Sequence, residues 1–153
     1  MYNYDYSDDF ARLSQEKKKW YHVLLYVLLW IWQLPQNLLG FILSAYVRDN
    51  GGQRYIYCLK IKGKMHEVRF VHFKAFPNSI ALGEYIVVGG RWDESDVRHE
   101  YGHVRQSRML GWLYLVVIGI LSLLHACLHY LSKGKEYSHF WTEKWAENLG
   151  GEL

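Results

Sequence analysis

His99 and His103 stand four residues apart, with Glu100 directly after the first, in the stretch RHEYGHVRQS at 98–107. On a helix, positions i and i+4 share a face, with Cβ atoms roughly 6 Å apart. Two neutral imidazoles placed so can hold one Zn2+. In this spacing the glutamate is aimed at the water that the ion activates and serves as general base. A catalytic zinc takes a third protein ligand. FWTEKWAENLGG, at 140–151, offers Glu143 and, one turn later on the same helix face, Glu147. The first can complete the metal site. The second can accept a ring N–H from a ligand histidine and so fix its tautomer. His139, one turn before Glu143, and Tyr137 are candidates for stabilising a transition state. The same spacing also fits a solvated histidine pair, or a zinc site without catalysis.

Other histidines carry less. His125 and His129 share the four-residue step in HACLH, but no glutamate follows the first and no third ligand is near, so they read as polar groups at the end of an apolar helix. His66-Glu67 lacks a second histidine at the required step, and His22 and His72 read as packing or interface residues. Cys58 and Cys127 form no CxxC pair, which argues against a disulfide framework or a thiolate metal site. Gly102 costs its helix about 1 kcal/mol relative to alanine. A close neighbour would explain it, either the strand near 84–88 or a substrate.

Several elements must position these residues. MYNYDYSDD, 1–9, reads as a loose arm, and 8–19 as a short helix with Phe10, Leu13 and Trp20 on one face, ending in Lys17-Lys18-Lys19. From Trp20 to Val47 no Asp, Glu, Lys or Arg occurs. The Leu34-Pro35-Gln36-Asn37 turn bends that run into two arms, each shorter than the roughly 20 residues a bilayer crossing needs. No small-residue cleavage site follows, so the run reads as an uncleaved anchor. RYIYCLKIKG, KMHEVRFVHFKAF and SIALGEYIVVGG, within 54–90, alternate in polarity and predict three strands. Asp93-Glu94-Ser95-Asp96 supplies caps for a helix over 93–109. Residues 109–132 again lack charge, and a last helix over about 137–149 ends at Gly150-Gly151.

HEYGH followed by Glu-Lys-Trp-Ala-Glu resembles the gluzincin zinc metallopeptidases. The likeness is nearest to the membrane-embedded heat-shock and CAAX-prenyl protease type and to the small soluble minigluzincins, which pair HExxH with a later ExxA[D] helix. The resemblance covers about 81–107 and 137–151. It implies His99, His103 and Glu143 as zinc ligands, Glu100 as general base and Glu147 as the outer acid, although this group has Asp at that last place. ALGEYIVVGG, 81–90, resembles the edge strand that binds peptide substrate in such enzymes, with Glu84, Tyr85, Ile86, Val87 and Val88 along it.

The metal site constrains topology. A single crossing by 109–132 would put His103 and Glu143 on opposite sides of a layer about 30 Å thick, whereas zinc–ligand bonds are about 2 Å. The segment must therefore return or never enter, and Gly119 and Ser122 mark a bend. Two apolar helical hairpins, over 20–47 and 109–132, dipping into one leaflet satisfy this. Burial of both in a protein core or an oligomer satisfies it too. Seven Trp and thirteen Tyr in 153 residues suit an interface between water and lipid. Lysine and arginine crowd Lys17–Lys19 and 48–108, which by the positive-inside rule puts the site on the cytoplasmic face. A net charge of +3 without a basic stripe gives no sign of a nucleic-acid partner.

The expectation is one α+β domain: a zincin-like helix beside a small three-stranded sheet, hydrolysing peptide or protein substrates with Zn2+. A catalytically inactive, membrane-associated zinc-binding scaffold is the alternative. An inhibited proenzyme is a third reading, because so short a chain leaves little room for a cleft.

Overall fold

The computed structural model describes residues 20–121 and 141–151. The expected arm, the 8–19 helix, Cys127, the His125/His129 pair, Tyr137 and His139 lie outside them.

Helices α1 (Trp20–Trp32) and α2 (Leu34–Asp49) are separated by Gln33 alone and meet at 90°. The expected hairpin is therefore a corner. Pro35 lies at the start of α2, where its missing N–H leaves no bond unmade. The polar residues at the bend turn inward: Gln33, Gln36 and Asn37 are fully buried. Gln33 Nε2 donates to Leu29 O and to Glu84 Oε1, each at 3.0 Å. Gln36 Nε2 donates to Ser107 Oγ at 3.1 Å and Gly111 O at 2.7 Å. Asn37 Nδ2 donates to Trp30 O, and its Oδ1 accepts the Glu84 main-chain N–H at 2.8 Å. These bonds tie the corner to the body of the protein, while Gln33 Oε1 and Gln36 Oε1 have no partner among the described residues.

The sheet has four strands, not three, in the order β1-β2-β4-β3: β1 Gln53–Ile61, β2 Lys64–Phe73, β3 Ile80–Leu82 and β4 Tyr85–Gly89. β1 and β2 form a hairpin through Lys62 and Gly63, both at positive φ, as a two-residue turn requires. The segment read as one third strand folds back at Gly83-Glu84 into the β3–β4 hairpin, with Leu82 opposite Tyr85. β4 also runs parallel to β2, from Val71 opposite Val87 to Phe73 opposite Gly89. Val87 and Val88 of the expected substrate strand are thus flanked by strands on both sides, and the outer strand on this side is β3. The sequence reason is the unbroken apolar run Ile86-Val87-Val88, which is buried on both faces, as interior strands are. Ile86 and Val88 face the larger core with Leu59, Val68 and Phe70, while Val87 packs with Val47 of α2.

Helix α3 (Glu94–Leu110) starts one residue later than the expected cap run. Asp93 Oδ1 accepts the N–H groups of Ser95 and Asp96, and Asp96 Oδ2 accepts that of Asp93, a reciprocal cap. Val97, Tyr101 and Val104 face the sheet. Helix α4 (Trp141–Gly150) lies antiparallel on the other side of α3. Gly102 and Gly150 allow this: a Cβ on the first would collide with the Ala146 carbonyl, and on the second with the Arg98 carbonyl. The neighbour that explains Gly102 is therefore α4, not a strand or a substrate. Arg105 donates to Leu149 O at 2.7 Å, and Arg98 to Gly150 O at 3.4 Å, satisfying carbonyls at the α4 C-terminus. After α3 the chain turns at Gly111 (φ 55°) and enters a π-helical stretch, Leu115–Ile120. A second apolar hairpin over 109–132 would extend beyond the described residues.

Candidate metal centre

The i, i+4 step and the α3–α4 crossing bring three ligand groups to one point. His99 Nε2, His103 Nε2 and Glu143 Oε2 are each 3.2 Å from the other two. Tetrahedral coordination with bonds of about 2.0–2.1 Å places its donor atoms about 3.3 Å apart. The three atoms therefore make one face of such a tetrahedron, and the cluster can hold a metal ion. Side-chain exposure falls from 30% at His99 to 12% at His103 and 8% at Glu143, so the cluster is reached from the His99 side.

The tautomer of His103 follows from its neighbours. Gln106 Nε2 donates to Thr142 O at 2.7 Å, and a carbonyl can only accept, so the amide nitrogen points to α4. Gln106 Oε1 then faces His103 Nδ1 at 2.8 Å and accepts its proton. That leaves the lone pair on Nε2, the atom in the cluster. Gln106 is fully buried. Sequence reasoning gave the ring-holding role to Glu147 and overlooked Gln106. For His103 the structure gives it to Gln106, while Glu147 is half-buried one turn past Glu143. A signal existed: Gln106 is three residues after His103, on the same face of the helix.

Electrostatics separate the two glutamates. Burial pushes the Glu143 carboxyl up, but the adjacent His103 and His99 rings outweigh it and hold the group well below the usual carboxylate range. Glu100 is only 5% exposed. Burial pushes its carboxyl up to about 7, against the opposing pull of His103 and His99. Its Oε2 has no hydrogen-bond partner among the described residues. A buried carboxylate oxygen without a partner is costly, and Glu100 lines the same cleft as His99, His103 and Glu143.

That cleft has a volume of about 870 Å3. Its walls are the cluster, the outer strand β3 with the loop before it, and Tyr114, Leu115 and Ile118 from the segment after α3. Of the expected substrate strand, Glu84 is engaged elsewhere. Its carboxylate takes two hydrogen bonds from Arg108, at 2.7 and 2.5 Å, and one from Gln33. Val87 and Val88 are paired on both sides, whereas Tyr85 and Ile86 pair with β3. Tyr114 is a cleft residue that sequence reasoning passed over, because it sits in an apolar run without a motif. No protein-family model, curated protein or solved structure matches this chain.

Proposed function

We propose that this chain is a zinc-dependent metallopeptidase of the gluzincin type. The observation that carries the reading is the triangle of His99, His103 and Glu143, 3.2 Å on each side, with Glu100, whose Oε2 has no partner among the described residues, lining the same cleft. Two imidazoles and one carboxylate are a donor set of catalytic zinc, which keeps the fourth position open. When bound, the ion supplies Lewis-acid activation of water and of the scissile carbonyl. Glu100 takes the proton of the attacking water and delivers it to the leaving amine, a role that needs a carboxyl titrating near neutral pH. Gln106 keeps His103 in the tautomer whose Nε2 is free, and Glu143 contributes the one negative charge of the ligand set. An extended peptide lies along β3 and is held through main-chain hydrogen bonds.

The reading includes attachment to one leaflet of a membrane. Residues 21–28, YHVLLYVL, are all exposed, so α1 is apolar around its whole circumference. Leu38, Phe41 and Ile42 of α2 and Trp112, Leu113 and Val116 after α3 are also exposed. Patches of this extent mark interaction surfaces. Among the described residues no single helix is long and apolar enough to cross a membrane, but the bent pair α1–α2 passes by length and composition together. In-plane insertion matches both facts. The positive charge of 48–108 supports a site on the cytoplasmic face.

The test compares wild type and Glu100→Gln, each loaded with zinc, on unfolded casein. Equal zinc content with hydrolysis only by wild type supports the enzyme. Zinc bound by both and hydrolysis by neither leaves a structural zinc protein instead. Flotation with anionic lipid vesicles tests the attachment; protein that stays in the soluble fraction refutes it.

A further inference from the structure

The edge of β3 is already occupied. β3 pairs with β4 on one side only, so its other side carries main-chain groups without a strand partner. Those groups alternate in direction along a strand. Leu82 and Tyr85 close the two-residue turn, so Ala81 turns its main chain outward. Its carbonyl accepts a hydrogen bond from the Tyr114 hydroxyl at 3.2 Å. Tyr114 is 5% exposed and stands in the wall of the cleft that holds His99, Glu100 and His103. Ala81 is itself buried. A peptide strand added at this edge needs the same acceptor.

The element that carries Tyr114 is suited to yielding. Tyr114 lies between the Gly111 turn and the π-helical stretch Leu115–Ile120. A π-helical turn is a rare geometry that recurs at functional sites. Among the described residues, Tyr114 and Ile118 are buried but stand apart from the two core clusters built on the sheet. Both line the cleft wall.

We propose that Tyr114 gates the substrate strand: its hydroxyl holds the Ala81 carbonyl at rest and is displaced when a peptide N–H takes that carbonyl. The inference rests on the peptidase reading. It also gives a specificity rule. A substrate with proline at the residue opposite Ala81 has no N–H to offer, so it cannot open the gate.

The test is Tyr114→Phe, which deletes one oxygen and keeps the ring. Binding of a short fluorescein-labelled alanine–valine peptide is measured in the zinc-loaded Glu100→Gln background, with and without Tyr114→Phe. With the competing bond gone, the peptide is expected to bind about three- to tenfold tighter, the span of one net hydrogen bond. In the active enzyme the gain resides in KM. Unchanged or weaker binding overturns the gate, and so does a fall in kcat at unchanged affinity, which would put Tyr114 on the reacting carbonyl. A second measurement uses the unaltered Tyr114: methylating the peptide nitrogens one at a time should abolish binding at one position, and uniform tolerance overturns the proposal. A wild type that holds zinc but cleaves nothing removes the peptidase reading alone, because the binding comparison needs no turnover.

Discussion

Gly102→Ala separates two opposite outcomes. On a free helix the change stabilises by about 1 kcal/mol. Here the new Cβ meets the backbone carbonyl of Ala146, which no side-chain rotation can move. Overpacking of this kind costs about 1–3 kcal/mol, and a rigid backbone neighbour puts it at the upper end. The net expectation is a loss of about 2 kcal/mol. The damage extends to the metal. Relief of the clash needs α3 and α4 to part by on the order of 1 Å, the scale at which packed atoms lose their contact. The 3.2 Å separations of Glu143 from His99 and His103 then open to about 4 Å, wider than a tetrahedral face of about 3.3 Å. Zinc affinity should fall by at least about tenfold, the lower end for disturbing the support of a ligand. Urea unfolding of the metal-free protein reads the first effect, and competition with a chromophoric chelator reads the second. A variant that is more stable than wild type and binds zinc equally well would refute the reasoning, because Gly102 would then be an ordinary helix glycine.

Two further outcomes follow from the same centre. Gln106→Ala removes the acceptor of the His103 ring N–H, and zinc affinity is expected to fall about 10- to 100-fold while Glu100→Gln keeps its own; equal affinity in the two variants contradicts the tautomer assignment. The buried Glu100 carboxyl has its pKa raised from its ordinary 4.5 to about 7 in the metal-free protein. A raised carboxyl stabilises the fold fully below about pH 4.5, and that contribution is lost as pH rises through about 7. At 1.36 kcal/mol per unit the loss is about 3 kcal/mol. Metal-free Glu100→Gln, which cannot ionise there, should exceed metal-free wild type by about that much at pH 8 and match it near pH 4. A gap that does not change with pH, measured by urea unfolding, counts against burial as the cause.

Local patterns determined much of this protein before any tertiary contact. The four-residue histidine step, the Asp93–Asp96 cap, the break at Pro35 and the final helix before Gly150-Gly151 are properties of short windows, because helix pitch, capping and proline sterics act over a few residues. Glu143 was named by the same route and stands in the cluster. Contacts between distant segments were not legible in such windows. Strand β3 has three residues and no period of its own, and only pairing makes it a strand. The place of β4 inside the sheet depends on β2, more than ten residues away. Gln106 became the partner of His103 because Thr142 on another helix takes its amide nitrogen. Gly102 looked like a helix flaw until Ala146 of α4 was found against it. The sequence by itself set which groups can bind a metal; the crossing of α3 and α4 decided that they meet, because packing two backbones in contact is a property of the pair.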